Sequence, residues 1–89
     1  MANFKDLEVT CKALGNKRRL AIIRHVRAKQ ESSVGDIADD INLSFKSTSR
    51  HLAVLTGAEI LTKEQRGPQM IYSLHPDIPE VARRVISLI

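Results

Sequence analysis

The sequence predicts a small, mainly α-helical domain with one β-hairpin, and three observations carry that prediction. Apolar residues recur at three- and four-residue spacing through most of the chain, the period of one helix face. Only the stretch from Ile60 to Leu74 reads as paired strands, set around the turn residues Gly67-Pro68. A chain of 89 residues, 43% hydrophobic and 27% charged, fits a single globular domain over residues 1–89 with a modest core.

The first helix is expected from about Asn3 to Leu14, where Phe4, Leu7, Cys11 and Leu14 form one stripe. Gly15-Asn16 break it, and Asn16 can cap the next helix, roughly Lys17 to Lys29. That second helix carries six basic residues and no acid. Ile22, Ile23 and Val26 are its apolar face, and Arg19 falls beside them on the helical wheel. Its guanidinium is therefore expected to be partnered or snorkelling. Ser33 with Asp36 makes a capping-box-like start for a third helix that buries Ile37 and Ile41 and ends by Asn42. Ser44 is a second N-cap, opening a fourth helix from about Phe45 to Thr56. There Phe45, Thr48, Leu52 and Leu55 share a stripe, and Lys46, Arg50 and Ala53 stand opposite. Strands follow at Ile60–Lys63 and Met70–Leu74, with Met70, Tyr72 and Leu74 on one face. The last helix starts near Ile78, with Pro79 in its first turn. Ile78, Val81, Ala82, Val85, Ile86, Leu88 and Ile89 fill more than a third of its wheel.

Composition narrows the function. The formal charge is +4, which favours an anionic partner. One cysteine, Cys11, rules out an internal disulfide and paired-cysteine metal or redox motifs. No apolar run exceeds four residues, so neither a membrane-spanning helix nor a secretory signal is expected, and the reading is of a cytoplasmic domain. Two short helices joined by a tight turn, the second exposing short polar and basic side chains, describe a helix-turn-helix. A helix enters the major groove of DNA only if its outward side chains can reach base edges and phosphates. Lys46 and Arg50 sit one above the other on such a face. Ser44, Ser47, Thr48 and Ser49 add hydroxyls near the helix N-terminus, whose dipole favours phosphate. Lys63 and Arg66 near the hairpin tip fit a wing laid along the neighbouring backbone.

Nearly the whole chain resembles the ArsR/SmtB family of winged helix-turn-helix repressors. The run from Ala13-Leu14-Gly15-Asn16 to Arg19-Leu20-Ala21-Ile22-Ile23 is similar to the family's second-helix opening. Leu43-Ser44 through Ser49-Arg50-His51-Leu52-Ala53-Val54-Leu55 resembles its recognition helix, and Arg66-Gly67 with Tyr72 and Leu74 resembles its wing. The resemblance implies a homodimeric repressor on an inverted-repeat, double-stranded operator, with the first and last helices as dimerisation elements. It implies that Phe45, Lys46, Ser47, Ser49 and Arg50 face the major groove. For Phe45 this competes with the wheel, which places it on the apolar stripe, and both readings stay open. The expected dimer residues are Phe4, Leu7, Cys11, Ile78, Val81, Ala82, Val85 and Ile89.

Departures from the family matter as much. Where relatives carry two metal-binding thiolates at the start of the third helix, this chain has Ser33-Val34-Gly35. On the last helix only Glu80 could contribute to the family's other metal site. No metal of the usual types and no cofactor are expected, and the effector is not given by the sequence. Glu59 stands where many relatives have glycine, and Gly57 is a candidate for the helix break instead. His51 reads as a packing histidine and Cys11 as a core or dimer-interface residue. His25 and His75 are isolated along the chain, with no metal role expected of either. No Ser-His-Asp order, phosphate loop or carboxylate pair supports catalysis, so a non-enzymatic protein is expected. The alternative is a winged-helix module that binds protein without reading DNA, which acidic residues on the recognition face would favour; Lys46 and Arg50 argue against it.

Overall fold

The computed structural model describes residues 3–89. Five helices and three strands follow in the order α1 (Phe4–Leu14), α2 (Lys17–Lys29), β1 (Glu31–Ser33), α3 (Val34–Ile41), α4 (Phe45–Gly57), β2 (Leu61–Arg66), β3 (Gln69–Leu74) and α5 (Glu80–Ile86). The sheet is antiparallel in the order β1-β3-β2. It therefore has one strand more than the expected hairpin. β1 is too short for an alternating pattern to reveal it, and it exists because Glu31 to Ser33 pair with Ser73 to Ile71. The predicted strand starting at Ile60 begins at Leu61 and runs on to Arg66, leaving Gly67-Pro68 as a two-residue turn. Gly67 takes φ 57° there, a backbone region open to glycine without a Cβ penalty.

The helix starts match their sequence signals. Asn3, Asn16, Ser33 and Ser44 each accept a backbone N–H with the side chain, satisfying donors that the first turn leaves unpaired. The helix ends are equally specific. Asn42 adopts φ 55° and Leu43 N–H donates to Ala38 O at 3.0 Å, a Schellman closure that turns the chain from α3 into α4. α4 ends the same way, with Ile60 N–H on Leu55 O at 3.0 Å and the left-handed residue being Glu59, φ 58°. The break lies at Glu59, not at Gly57, which is the last residue of the helix. α5 begins two residues later than expected, because Pro79 is the cap and not part of the first turn.

α2, α3, α4 and the sheet enclose the core, and Ile22, Ile23, Ile37, Leu52, Leu55, Ile60 and Leu61 are its fully buried large side chains. α1 and α5 pack on one another beside it. Two expected stripes are corrected. In α1 the buried face centres on Thr10, Ala13 and Leu14, so Phe4 and Cys11 flank it and are exposed. In α4 the stripe keeps Thr48, Leu52 and Leu55 but loses Phe45, which at the first helical position is 63% exposed.

Thr48 is fully buried, and among the described residues its Oγ1 has no hydrogen-bond partner. A hydroxyl buried without a partner costs on the order of 1–3 kcal/mol. Thr48→Val keeps the shape and removes that hydroxyl, so it is expected to raise stability by about 1 kcal/mol in a urea titration. A loss of similar size would mean that Thr48 has a partner in solution.

Candidate nucleic-acid interface

α3 and α4 form the expected helix-turn-helix, and both pack against α2. Arg19 of α2 is the hub. Its Nε donates to Ala13 O at 2.7 Å and its Nη2 to Lys12 O at 2.9 Å, capping the end of α1. Its Nη1 donates to His51 Nδ1 at 3.2 Å, tying α2 to the middle of α4. This is the partnered arginine that the wheel anticipated. His51 is the half-buried packing histidine expected. Burial first, and then the charges of Arg19 and Arg18, push its pKa below the ordinary 6.5.

The sign of that shift sets a pH dependence. Below about 6.5 the unfolded chain takes up a proton on His51 before the folded one does, so stability falls on acidification from there and is complete above it. Glu31 acts in a lower window. Its hydrogen bonds to Arg66 hold its carboxyl below the ordinary 4.5, so its contribution is present above that pH and is lost as the folded form protonates. Urea midpoints measured against pH should lose the first slope in His51→Gln and the second in Glu31→Gln. Unchanged profiles would refute the assignment.

The outward face of α4 gathers most of the predicted contact residues. Ser44, Phe45, Lys46 and Arg50 are exposed, and Ser47 and Ser49 are half-buried at its edges. Among the described residues, neither Lys46 nor Arg50 has a hydrogen-bond or ion-pair partner. Ser44 Oγ accepts from Ser47 N–H at 3.1 Å, which leaves its own hydrogen free to donate outward. Thr48 is the exception, its hydroxyl being turned into the core. Phe45 lines a cleft of about 430 Å³ together with Gly35 of α3 and Gln65, Pro68 and Met70 of the wing. It links the start of α4 to the wing, with most of its ring still in solvent.

The two wing cations differ in their surroundings. Lys63 is exposed and shares its strand face with Gln65, towards that cleft. Arg66, expected to contact the DNA backbone, is engaged within the protein. Its Nη1 and Nη2 donate to the two carboxylate oxygens of Glu31 at 2.6 and 2.9 Å, and its Nε donates to Glu64 at 3.0 Å.

The expected dimer residues divide as well. Phe4 is 89% exposed, Cys11 is exposed, Ile89 is partly so, and Leu7, Ile78, Val81 and Val85 are half-buried. Ala82 is fully buried within the protomer, so it has no surface for a partner.

The sequence hid one constellation. His25 of α2 has Nδ1 2.9 Å from Asp40 Oδ2 and Nε2 2.9 Å from Ser32 Oγ, joining α2, α3 and β1. The order is that of a hydrolase triad, and no spacing rule could have found it, because β1 was not visible as an element. Both His25 and Ser32 are buried, and neither lines the Phe45 cleft or the α2–α3 cleft that Asp40 borders. The serine ties β1 to α2 through His25.

Comparison with known proteins settles the lineage. The family model of a helix-turn-helix domain matches residues 14–64. The chain is 31% identical over 72 residues to the arsenic resistance transcriptional regulator ArsR1 of Pseudomonas putida, covering 81% of this chain and 56% of that protein. It is 31% identical over 67 residues to the transcriptional repressor SdpR of Bacillus subtilis, covering 75% and 73%. The chain belongs to the ArsR family of helix-turn-helix regulators. Solved structures agree. HlyU of Vibrio vulnificus superposes with TM-score 0.75 at 32% identity over 98% of this chain and 94% of its own. A homodimeric winged helix-turn-helix DNA-binding domain from Mycobacterium bovis superposes with TM-score 0.80 at 25% identity, covering 94% and 74%. This ArsR-family chain spans little more than half of the Pseudomonas regulator.

The residues present do not fit the family's metal sites. Ser33, at the thiolate position, uses its Oγ to cap α3 by accepting from Asp36 N–H at 3.2 Å. Glu80, on the last helix, is paired with Arg84 at 3.0 Å. Among the described residues, no group of three or more His, Cys, Asp or Glu side chains is arranged to hold a metal ion.

Proposed function

We propose that the protein is a sequence-specific, double-stranded DNA-binding transcriptional repressor, acting as a homodimer in the cytoplasm and not as an enzyme. The observation that carries this reading is the pair Lys46 and Arg50, unpartnered on the outward face of α4 directly opposite the buried Thr48–Leu52–Leu55 stripe. Burial of that stripe fixes the helix phase, so the two cations are presented with no cost of breaking existing bonds. The relatives named as repressors and the homodimeric DNA-binding domain from Mycobacterium bovis support the same reading.

In this reading two α4 helices enter successive major grooves about 34 Å apart. Lys46 and Arg50 read bases or phosphates, and Ser44, Ser47 and Ser49 contribute hydroxyls. Phe45, at the helix start, is placed to touch a thymine methyl, and Lys63 approaches the backbone from the wing. Phe4, Cys11, Leu88 and Ile89 supply exposed surface of α1 and the α5 end for the second subunit, with Leu7, Ile78, Val81 and Val85 at its margin. The burial of Ser32, the serine of the triad-like cluster, supports the non-enzymatic reading.

The test is selection of bound sequences from a random duplex pool at about 0.15 M salt, where sequence-independent binding is weak. The expected result is an inverted repeat with half-sites one helical turn apart. Log affinity for it should fall against log salt with a slope of about −5 to −9 if six to ten phosphates are neutralised. No enrichment from a folded sample would replace this reading with that of a protein-binding winged helix.

A further inference from the structure

We propose that Glu31 is a specificity-determining residue of the DNA contact: its carboxylate holds the wing arginine, Arg66, off the phosphate backbone and so keeps sequence-independent affinity low. The inference rests on the DNA-binding reading above and deepens it.

A guanidinium has two edges that can grip an oxyanion with paired donors, the Nη1/Nη2 edge and the edge that includes Nε. In this protein Glu31 occupies the first with both carboxylate oxygens, at 2.6 and 2.9 Å. Glu64 holds the Nε of the second at 3.0 Å. No paired edge remains for a phosphate. A DNA phosphate must therefore displace a carboxylate that makes the same bidentate, charge-assisted contact, and the exchange gains little. Lys46, Arg50 and Lys63 face no such competitor among the described residues.

The sheet register explains why this competitor is in place. Glu31 pairs with Ser73, Glu64 with Ile71 and Arg66 with Gln69. Paired residues share a face, so all three charged side chains stand on the outward face of the sheet, away from Tyr72 and the core. Arg66 crosses the width of β3 to reach Glu31 on the far strand. The unexpected third strand, β1, thus brings a carboxylate to the wing. With Lys63 and Arg66 positive and Glu31 and Glu64 negative, this end of the sheet carries no net charge. A wing built in that way adds little to non-specific attraction, and discrimination is left to α4. The depressed pKa of Glu31 agrees with a pair that is formed throughout the physiological range.

The experiment is a double-mutant cycle of Glu31→Gln and Arg66→Ala, read as binding to a mixed-sequence duplex across a salt series. In the otherwise unaltered protein, Arg66→Ala should leave the salt slope unchanged, since Arg66 touches no phosphate. Glu31→Gln frees the Nη1/Nη2 edge and should add one phosphate contact per protomer. The slope for a dimer then steepens by about 2, and affinity rises about five-fold per contact at 0.15 M salt. Arg66→Ala in the Glu31→Gln background should abolish that gain.

Three results would overturn the proposal. If Glu31→Gln neither steepens the slope nor raises affinity, Glu31 does not hold Arg66 off phosphate. If Arg66→Ala flattens the slope equally in both backgrounds, Arg66 already holds phosphate beside Glu31. If the gain in Glu31→Gln survives Arg66→Ala, Glu31 acts only as a distant negative charge. Failure of every variant to bind any duplex, with folding intact by circular dichroism, would instead overturn the DNA-binding reading and this proposal with it.

Discussion

Arg50→Ala is expected to weaken operator binding by about 1–3 kcal/mol per half-site, the range for losing one well-formed side-chain contact in the major groove. Arg50 is exposed, four residues beyond Lys46 on the outward face of α4, and among the described residues it bonds to nothing. Removing it therefore costs the fold almost nothing, and the thermal midpoint should hold. The matched control is Arg84→Ala. Arg84 is equally cationic and exposed, but it lies on α5, which packs against α1, and it is already paired with Glu80 at 3.0 Å. Its loss should leave operator affinity within about two-fold, a change near the limit of ordinary surface substitutions. Titration of labelled operator with each variant decides the matter. Equal losses would mean that net charge, and not the orientation of α4, drives binding.

The sequence revealed elements wherever a local rule governed them. The N-caps at Asn16, Ser33 and Ser44 are local, because a side chain bonds a backbone group two or three residues on. The phase of α4 was legible in Thr48, Leu52 and Leu55, since a helix shows its buried face by spacing alone. The partnering of Arg19 followed from the same wheel, although its acceptors, Lys12 O and Ala13 O, came from the preceding helix. What escaped was decided by chain segments far apart. β1 is three residues long and is defined only by its pairing with β3, some 40 residues later in the chain. With β1 invisible, neither the Glu31–Arg66 pair nor the Ser32–His25 contact could be anticipated. For Phe45 and Cys11 the sequence left two positions open, and the structure takes the outward one for each. Periodicity locates an apolar stripe but not its edges, and at a helix end there is no neighbouring turn to cover the last residue.

Glu59 shows a local rule overruled by context. A left-handed closing residue is usually glycine, and the sequence offers Gly57 two positions earlier. The chain nevertheless extends α4 through Gly57, because Leu55 and Ile60 are both fully buried and the Leu55 O to Ile60 N–H bond joins them around the turn. Burial of two large aliphatic side chains, about 1.5–3 kcal/mol each, outweighs the roughly 1–2 kcal/mol of placing Glu59 in the left-handed region.

His25→Ala is expected to be among the most destabilising single substitutions, by about 3 kcal/mol. The side chain is 6% exposed and joins three elements through two 2.9 Å hydrogen bonds. A neutral hydrogen bond contributes about 1 kcal/mol and one to a carboxylate about 1.5–3, before the cavity left by the ring is counted. Against a total of about 5–10 kcal/mol for a domain of this size, that is a large fraction. The partners separate the contributions. Ser32→Ala leaves Nε2 buried without its partner and should cost about 1–2 kcal/mol. Asp40→Asn keeps an acceptor at a side chain that is 60% exposed and should cost less than 1. Because His25 and Ser32 share one bond, the double variant should cost less than the sum of the single losses. Urea titrations of the four proteins measure all of this. A loss below about 1 kcal/mol for His25→Ala would show that the α2–β1–α3 junction is held by the surrounding aliphatic core, with the polar cluster an accessory. A loss near 3 would place the anchoring of β1, and with it the position of Glu31 beneath the wing, on a single buried histidine.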